Sequence, residues 1–374
     1  MEPAIDQLKL LQGRYEAARL PKDFTPEQIV PDFAFNVLNT LGLLYRPVVD
    51  EAYLANGGSK PGWPKGKPFA VCLTHDVDFV TLYSQRQLCR AGARMLQNAK
   101  NWKQMAKTIF FLGQECILTS LRKTTTDPLH CYERWLTVEA AVGARSTFFF
   151  WPGWSSVRKH HSSDCTYELS DRISFDRQKC TVAEMIQEID RRGWEIGLHP
   201  SWYSFDNADE MKRQKEFLEK ALGYDIVSVR QHLLHYDIRV TPRIQAEAGL
   251  RYDSTLGFND NVGFRFGTSY PWKLYDLKAE MELPITEIPL IIQDGAMLTP
   301  EKGMRLDEDT AFQYIKQITE AVDRVGGVLT LLWHPNYIFN PSWWHLYQRS
   351  LEYLKEKNAW FGSVRDIGKE FGGN

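Results

Sequence analysis

"FAVCLTHDVD" (residues 69–78) runs from a short apolar stretch into an imidazole and two carboxylates. An apolar run of this length, rich in Phe, Val and Leu, reads as a buried strand. Charged groups are costly to bury unless they are paired, so the polar end of the run is a solvated loop, a proton-transfer site or a metal site. Asp76 and Asp78 lie two residues apart, and in extended backbone both side chains point to one face, where they could share a cation. An Asx-turn closing the strand is the plainer alternative. His75 points to the opposite face.

Six further runs repeat the pattern: "STFFFW" (146–151), "WEIGLH" (194–199), "DIVSVR" (225–230), "LRYDST" (250–255), "ITEIPL" (285–290) and "GVLTLLWH" (327–334). Helix signals lie between them. Thr181 and Glu184 form a capping box with Gly193 as the stop, and Thr241-Pro242 starts a helix that Gly249 ends. Phe312, Ile315, Ile318, Val322 and Val325 make an apolar helical stripe ending at Gly326-Gly327. Seven strands alternating with helices predict a parallel sheet, and that many units in roughly 300 residues favour a closed or nearly closed α/β barrel. An open doubly wound sheet is the alternative.

Residues 1–66 end in "NGGSKPGWPKGKP", a Gly/Pro/Lys stretch expected to close an N-terminal helical extension before a barrel over 67–374. Residues 80–130 interrupt the alternation and read as a helical insertion. The 45 basic and 47 acidic residues nearly cancel, so no overall field attracts nucleic acid or an anionic membrane, and either partner would need a local patch. No segment approaches 18 uninterrupted apolar residues, so no membrane span is expected. The first twenty residues lack the apolar core of a signal peptide, which predicts a cytoplasmic location. Six cysteines (72, 89, 116, 131, 165 and 180) form no CxxC pair and are expected to be reduced and structural.

Chemistry in such barrels collects at the C-terminal ends of the strands. There the first strand leads into Asp76 and Asp78, the third ends in His199, and the fourth ends in Arg230 with His232 two residues on. The fifth carries Asp253, and the seventh ends in His334. A buried arginine needs a carboxylate, and Asp76 is a suitable partner for Arg230. A metal reading needs deprotonated oxygen or nitrogen donors, and a hydrolytic one needs a base and an acid. These strand ends supply both.

In order along the chain, "LTHDVD", "GLHPSWYS", "VRQH" and "LLWHP" resemble the motifs of the polysaccharide deacetylases of the NodB type, carbohydrate esterase family 4. The first motif together with "YDSTLG" (252–257) is most similar to a branch found among polysaccharide and surface-glycan biosynthesis proteins. The resemblance spans roughly residues 67–340. It implies a distorted (β/α)7 barrel and a hydrolase that removes the acetyl group from an N-acetylated sugar with one divalent metal ion, zinc being the expected one. Carried over, Asp76 matches the catalytic base, Arg230 the arginine that holds it, His334 the general acid and His199 a metal ligand.

Two usual ligands are absent. The second aspartate of the family falls on Val77, and the second histidine on Tyr203. Asp78 and His232 are the nearest replacements. On the substrate side, Trp151, Trp202 and Trp272 are candidate sugar platforms among several tryptophans on the same loops, Asp253 is a candidate polar contact, and "GFRFGTSYPW" (263–272) reads as an active-site loop whose Arg265 would meet an anionic group. Two alternatives stay open: a metal-free hydrolase of another non-peptide C–N bond, and a carbohydrate-binding barrel without turnover.

Overall fold

The computed structural model describes residues 5–20, 36–82, 84–97, 101–121, 127, 129–300 and 303–372. Its centre is strand β1 (Ala70–Val77), buried along its whole length. The remaining strands, in chain order, are β2 (Thr147–Phe150), β3 (Arg172–Phe175), β4 (Gln178–Thr181), β5 (Glu195–Leu198), β6 (Ser228–Val229), β7 (Tyr252–Asp253), β8 (Trp272–Asp276), β9 (Met281–Glu287), β10 (Ile292–Gln293), β11 (Val328–Leu332) and β12 (Trp360–Gly362). The main sheet runs β10-β11-β1-β2-β5-β6-β7-β9-β8, and β3 and β4 form a separate hairpin. All pairings in the main sheet are parallel except β8 with β9. The sheet curls into a distorted α/β half-barrel; among the described residues β10 and β8 remain its two ends.

One edge of β1 is shared. Its first half pairs with β12 over Ala70–Cys72, and its second half pairs with β2 over Thr74–Val77. The opposite edge pairs with β11 from Ala70 to Thr74. The polar end of β1 is therefore held by β2 on one side, close to where β11 delivers Trp333 and His334.

The helix signals are realised with small shifts. Thr181 and Glu184 form the reciprocal capping box of helix Val182–Arg191, and helix Glu308–Val325 buries its apolar stripe and stops at Gly326. Thr241 lies inside its helix rather than capping it, with its hydroxyl accepting the Asp237 N–H at 3.0 Å. The sixth strand was expected at 285–290, but it starts earlier, at Met281, because it is the return arm of an antiparallel hairpin with β8. Beyond it, β10 is a separate two-residue strand.

Residues 85–97 and 102–121 form two helices between β1 and helix Tyr132–Ala141, anchored where Arg90 meets Asp171 at 2.5 Å. At the N-terminal end, short helices Gln7–Leu11, Arg14–Ala17, Val37–Thr40 and Val48–Ala55 lie against the segment 263–272. Backbone bonds Val49 N to Gly267 O and Phe264 N to Leu44 O, both 2.8 Å, fix them there. Asp50, fully buried, accepts from the Ser269 N–H and hydroxyl at 2.7 Å, and burial pushes its carboxyl up to about 6.

His75 does point away from Asp76. Its ring is fully buried, with Nδ1 2.6 Å from the Trp333 carbonyl and Nε2 2.6 Å from Glu139 Oε1. Glu139 also accepts from Trp194 Nε1 (2.7 Å), Tyr347 OH (2.9 Å) and Ser146 N (3.3 Å). A buried carboxylate with this many donors is satisfied, and it joins β1 to the helices behind it. Burial alone would raise the Glu139 pKa, but the charge and hydrogen bond of His75 bring it below the ordinary value.

Candidate functional site

At the C-terminal end of the sheet, β1, β5, β6 and β11 deliver side chains to one cluster. Arg230, just past β6, is fully buried. Its Nη2 donates to Thr74 Oγ1 (3.2 Å) and Ser254 Oγ (3.0 Å), and its guanidinium lies 5.1 Å from the centre of the Phe149 ring. Phe149 occupies that position because residue 197 is glycine: a Cβ there would meet the ring at 2.4 Å. Arg230 Nη1 stands 3.5 Å from Asp76 Oδ1, close enough to attract but not to hydrogen-bond, and both atoms are buried without a hydrogen-bond partner. The expected pairing of Asp76 with Arg230 is thus present as a buried charge contact.

Asp78 takes different partners. Its Oδ1 lies 3.3 Å from His199 Nε2 and 3.5 Å from His232 Nδ1, and its Oδ2 lies 3.8 Å from His334 Nε2. Each of the first two imidazoles spends its other nitrogen on a carbonyl: His199 Nδ1 on Arg230 O at 2.6 Å, His232 Nε2 on Ser163 O at 2.8 Å. A nitrogen facing a carbonyl carries the proton, so the inner nitrogens, 3.1 Å apart, turn lone pairs toward each other and toward Asp78. Three lone pairs converging on one point repel unless a proton or a cation sits among them. Burial works against the Asp78 charge, but the His199 and His232 hydrogen bonds hold its carboxyl well below the usual range; burial likewise opposes the His232 charge, and Asp78 raises it. Outer-nitrogen bonds to carbonyls are how metal-binding imidazoles are oriented, so the donor set Asp78, His199 and His232 fits a divalent cation.

Local backbone supports this aim. Immediately after His232, Leu233 and Leu234 adopt φ of 56° and 52°, a left-handed region costing roughly 1–3 kcal/mol per non-glycine residue. The turn keeps the His232 ring directed back over β5.

His334 follows β11. Asp294, fully buried, accepts from the His334 backbone N–H and faces its Nδ1, both at 2.7 Å. Burial would lower the imidazole pKa, but the Asp294 charge and hydrogen bond, helped by Asp78 and Asp76, raise it to about 10. His334 is therefore an imidazolium at neutral pH, with Nε2 facing Asp78.

The candidate substrate contacts fall elsewhere. Trp151 is fully buried in the core, and Trp202 is sandwiched between His235 (3.7 Å) and His161 (4.3 Å), so neither shows a ring face to solvent. Trp272 donates from Nε1 to Leu11 O (3.1 Å), and Arg265 pairs with Glu16 (2.6 Å) and Gly257 O (2.7 Å). The segment 263–272 is the seat of the N-terminal helices, not an open loop. Asp253 is buried opposite Glu287, its register partner on β9, and bonds the Thr255 hydroxyl. Half-buried aromatics beside His334 are Tyr337, 5.8 Å from its ring, and Trp343, 4.2 Å from Tyr337.

Three contributors were not anticipated. Asp294 ends "PLIIQD", an apolar run closing on a carboxylate like 69–78, but hidden behind the preceding run. The loop residues Ser163 and Cys165 carry no spacing signal, yet Ser163 O orients His232, and Cys165 Sγ lies 3.9 Å from Asp78 Oδ1.

No family model matches the chain, and no curated protein does. Solved structures do. A protein assigned as a polysaccharide deacetylase from Mycobacterium smegmatis superposes with a TM-score of 0.54 at 19% identity, over 84% of this chain and 94% of the other. PuuE allantoinase gives 0.52 at 16% identity, and a protein assigned as a polysaccharide deacetylase from Pseudomonas aeruginosa PAO1 gives 0.51 at 16%, each over the same shares. The chain has the fold of the NodB-type polysaccharide deacetylases.

Proposed function

We propose that the protein is a metal-dependent hydrolase that removes an acetyl group from an N-acetylated sugar in the synthesis of a bacterial surface glycan. The observation that carries this reading is the convergence on Asp78 of two imidazole lone pairs from one side and the His334 imidazolium, backed by Asp294, from the other. Asp78, His199 and His232 would hold the cation, zinc suiting the nitrogen and oxygen donors, and a bound cation would polarise the acyl oxygen. Asp76, held beside the Arg230 guanidinium, takes the proton of the attacking water. His334 gives its Nε2 proton to the departing nitrogen while Asp294 keeps Nδ1 engaged, so only one nitrogen faces the reaction. Tyr337 and Trp343 offer ring faces to a sugar beside that acid.

The test is acetate release from a panel of N-acetylated oligosaccharides and nucleotide-linked N-acetylhexosamines by zinc-loaded protein. Activity lost in both Asp76→Asn and His334→Gln supports the reading. Zinc bound near one equivalent with no acetate released from any substrate would move the assignment to a binding barrel, and amide hydrolysis that survives chelation would move it to a metal-free hydrolase.

A further inference from the structure

Resting on the metal reading above, we propose that Cys165 is a thiolate ligand of the same cation, giving a mixed Asp78–His199–His232–Cys165 donor set. The distances carry it. Ligand atoms of Asp78, Cys165 and His232 all lie within 4.8 Å of one another. Around a tetrahedral zinc with bonds of about 2.0–2.3 Å, donor atoms stand about 3.3–3.7 Å apart. The separations here are 3.1 Å (His199 Nε2 to His232 Nδ1), 3.3 and 3.5 Å (each imidazole to Asp78 Oδ1) and 3.9 Å (Cys165 Sγ to Asp78 Oδ1). The thiol stands on the Asp78 and His232 side of the cluster, and joining His199 around one cation requires the loop to close inward.

Its loop is fastened over the site rather than draped near it. Ser163 O receives His232 Nε2, Asp164 Oδ1 accepts from Trp202 N at 2.8 Å, and Tyr167 OH donates to Val77 O at 2.9 Å. The buried Cys165 is thus carried between two anchored residues onto the carboxylate that the imidazoles share. On binding, the S–H bond is replaced by a metal–sulfur bond and the proton is released to solvent. A thiolate donor favours zinc, cobalt or cadmium over magnesium, manganese and calcium.

Cobalt(II) added to the full-length, chelator-stripped protein tests this. The expected spectrum has visible ligand-field bands together with a near-ultraviolet thiolate-to-cobalt band, and Cys165→Ser removes the second while keeping the first. Visible bands without the sulfur band in wild type would overturn the thiolate and leave the metal reading standing. Failure to bind cobalt at all, in wild type and His199→Ala alike, would overturn both.

A second inference stands on separate observations. Helix 102–121 exposes Trp102, Met105, Ile109 and Ile117 on one face, with Phe110 at its margin, all between 45% and 72% accessible. The two-helix segment 85–121 holds six basic residues and one acid, Glu115, and Lys103 and Lys107 are exposed beside the apolar face. We infer that this helix pair docks on an anionic phospholipid surface: an apolar face with tryptophan, flanked by lysine, suits the lipid headgroup boundary, and the unbalanced positive charge suits an anionic surface. No helix among the described residues is long and apolar enough to cross a membrane, so the mode is superficial. In sequence the pair begins at Gln85, shortly after Asp78.

Sedimentation with phosphatidylcholine vesicles, with and without phosphatidylglycerol, reads it out. Pelleting should require phosphatidylglycerol, weaken with salt, and fall at least fivefold in Ile109→Asp/Phe110→Asp with an unchanged circular dichroism spectrum. No pelleting with anionic vesicles, or equal pelleting of the variant, would overturn it.

Discussion

Replacing Asp294 by Asn removes the charge behind His334 but keeps its shape and one acceptor. The imidazole pKa is raised from 6.5 to about 10, with Asp294 the largest raising contribution. At 1.36 kcal/mol per unit, that rise amounts to at most about 5 kcal/mol of preference for the protonated form. Because the folded-state value lies above the unfolded one, this stability is complete below pH 6.5 and is lost as pH climbs through about 10. In Asp294→Asn the remaining support comes from Asp78 and Asp76, and burial opposes it, so the pKa should fall by about 2 units or more. The assay is the His Cε1–H resonance of His334 in metal-free protein, assigned by its absence in His334→Gln. Wild type should stay protonated past pH 9, and the variant should titrate near neutrality, with the alkaline limb of acetate release moving the same way. If the variant's His334 also stayed protonated past pH 9, the Asp294 charge would not be what holds the proton, and the general-acid assignment would lose its basis.

Burial pushes Asp253 up to about 6, and burial together with Asp253 pushes Glu287 well above its ordinary value. Folded-state values above the unfolded ones mean that stability falls as pH rises through that range, so Asp253→Asn should gain at most about 3 kcal/mol over wild type between pH 4 and 7.5 in urea titrations; parallel pH curves would contradict the shared buried acid. Gly197→Ala drives a Cβ to 2.4 Å from the Phe149 ring. It should cost about 1–3 kcal/mol in thermal unfolding and lower kcat through displacement of Arg230. Glu139→Gln leaves the His75 ring facing a weaker partner in a sealed pocket, and a loss of about 2–4 kcal/mol is expected by urea denaturation with zinc stoichiometry unchanged. Loss of zinc in that variant would show that the interior network reaches the site.

The parallel strands were legible because buried strands read as continuous apolar runs closed by glycine-marked helices, as in "STFFFW" and "GVLTLLWH". The two-residue β10 left no periodicity of its own, and Asp294 was lost with it. Asp76, Asp78, His199, Arg230, His232 and His334 could be expected at one end of the sheet because each lies at or just past the end of a strand. The aromatic readings could not be settled by sequence for a physical reason: a tryptophan beside a strand end serves core packing as well as sugar stacking, and only its neighbours, such as His161 and His235 around Trp202, distinguish the two. Cys165 belongs to a loop whose path depends on tertiary bonds to Val77, Trp202 and His232, none of which spacing reveals.

The His75–Glu139 contact acts as a register peg for the strand that bears the base. Side chains of a strand alternate, so a one-residue slip of β1 would exchange inside for outside and put an imidazole where Asp76 stands. A slip in one direction would seat the Asp76 carboxylate in the slot now bounded by Glu139, Phe148 and Trp135, where like charge and apolar rings reject it, and a slip in the other would leave Glu139 facing the shorter Thr74. The residue that takes no part in the chemistry thereby sets which residue can.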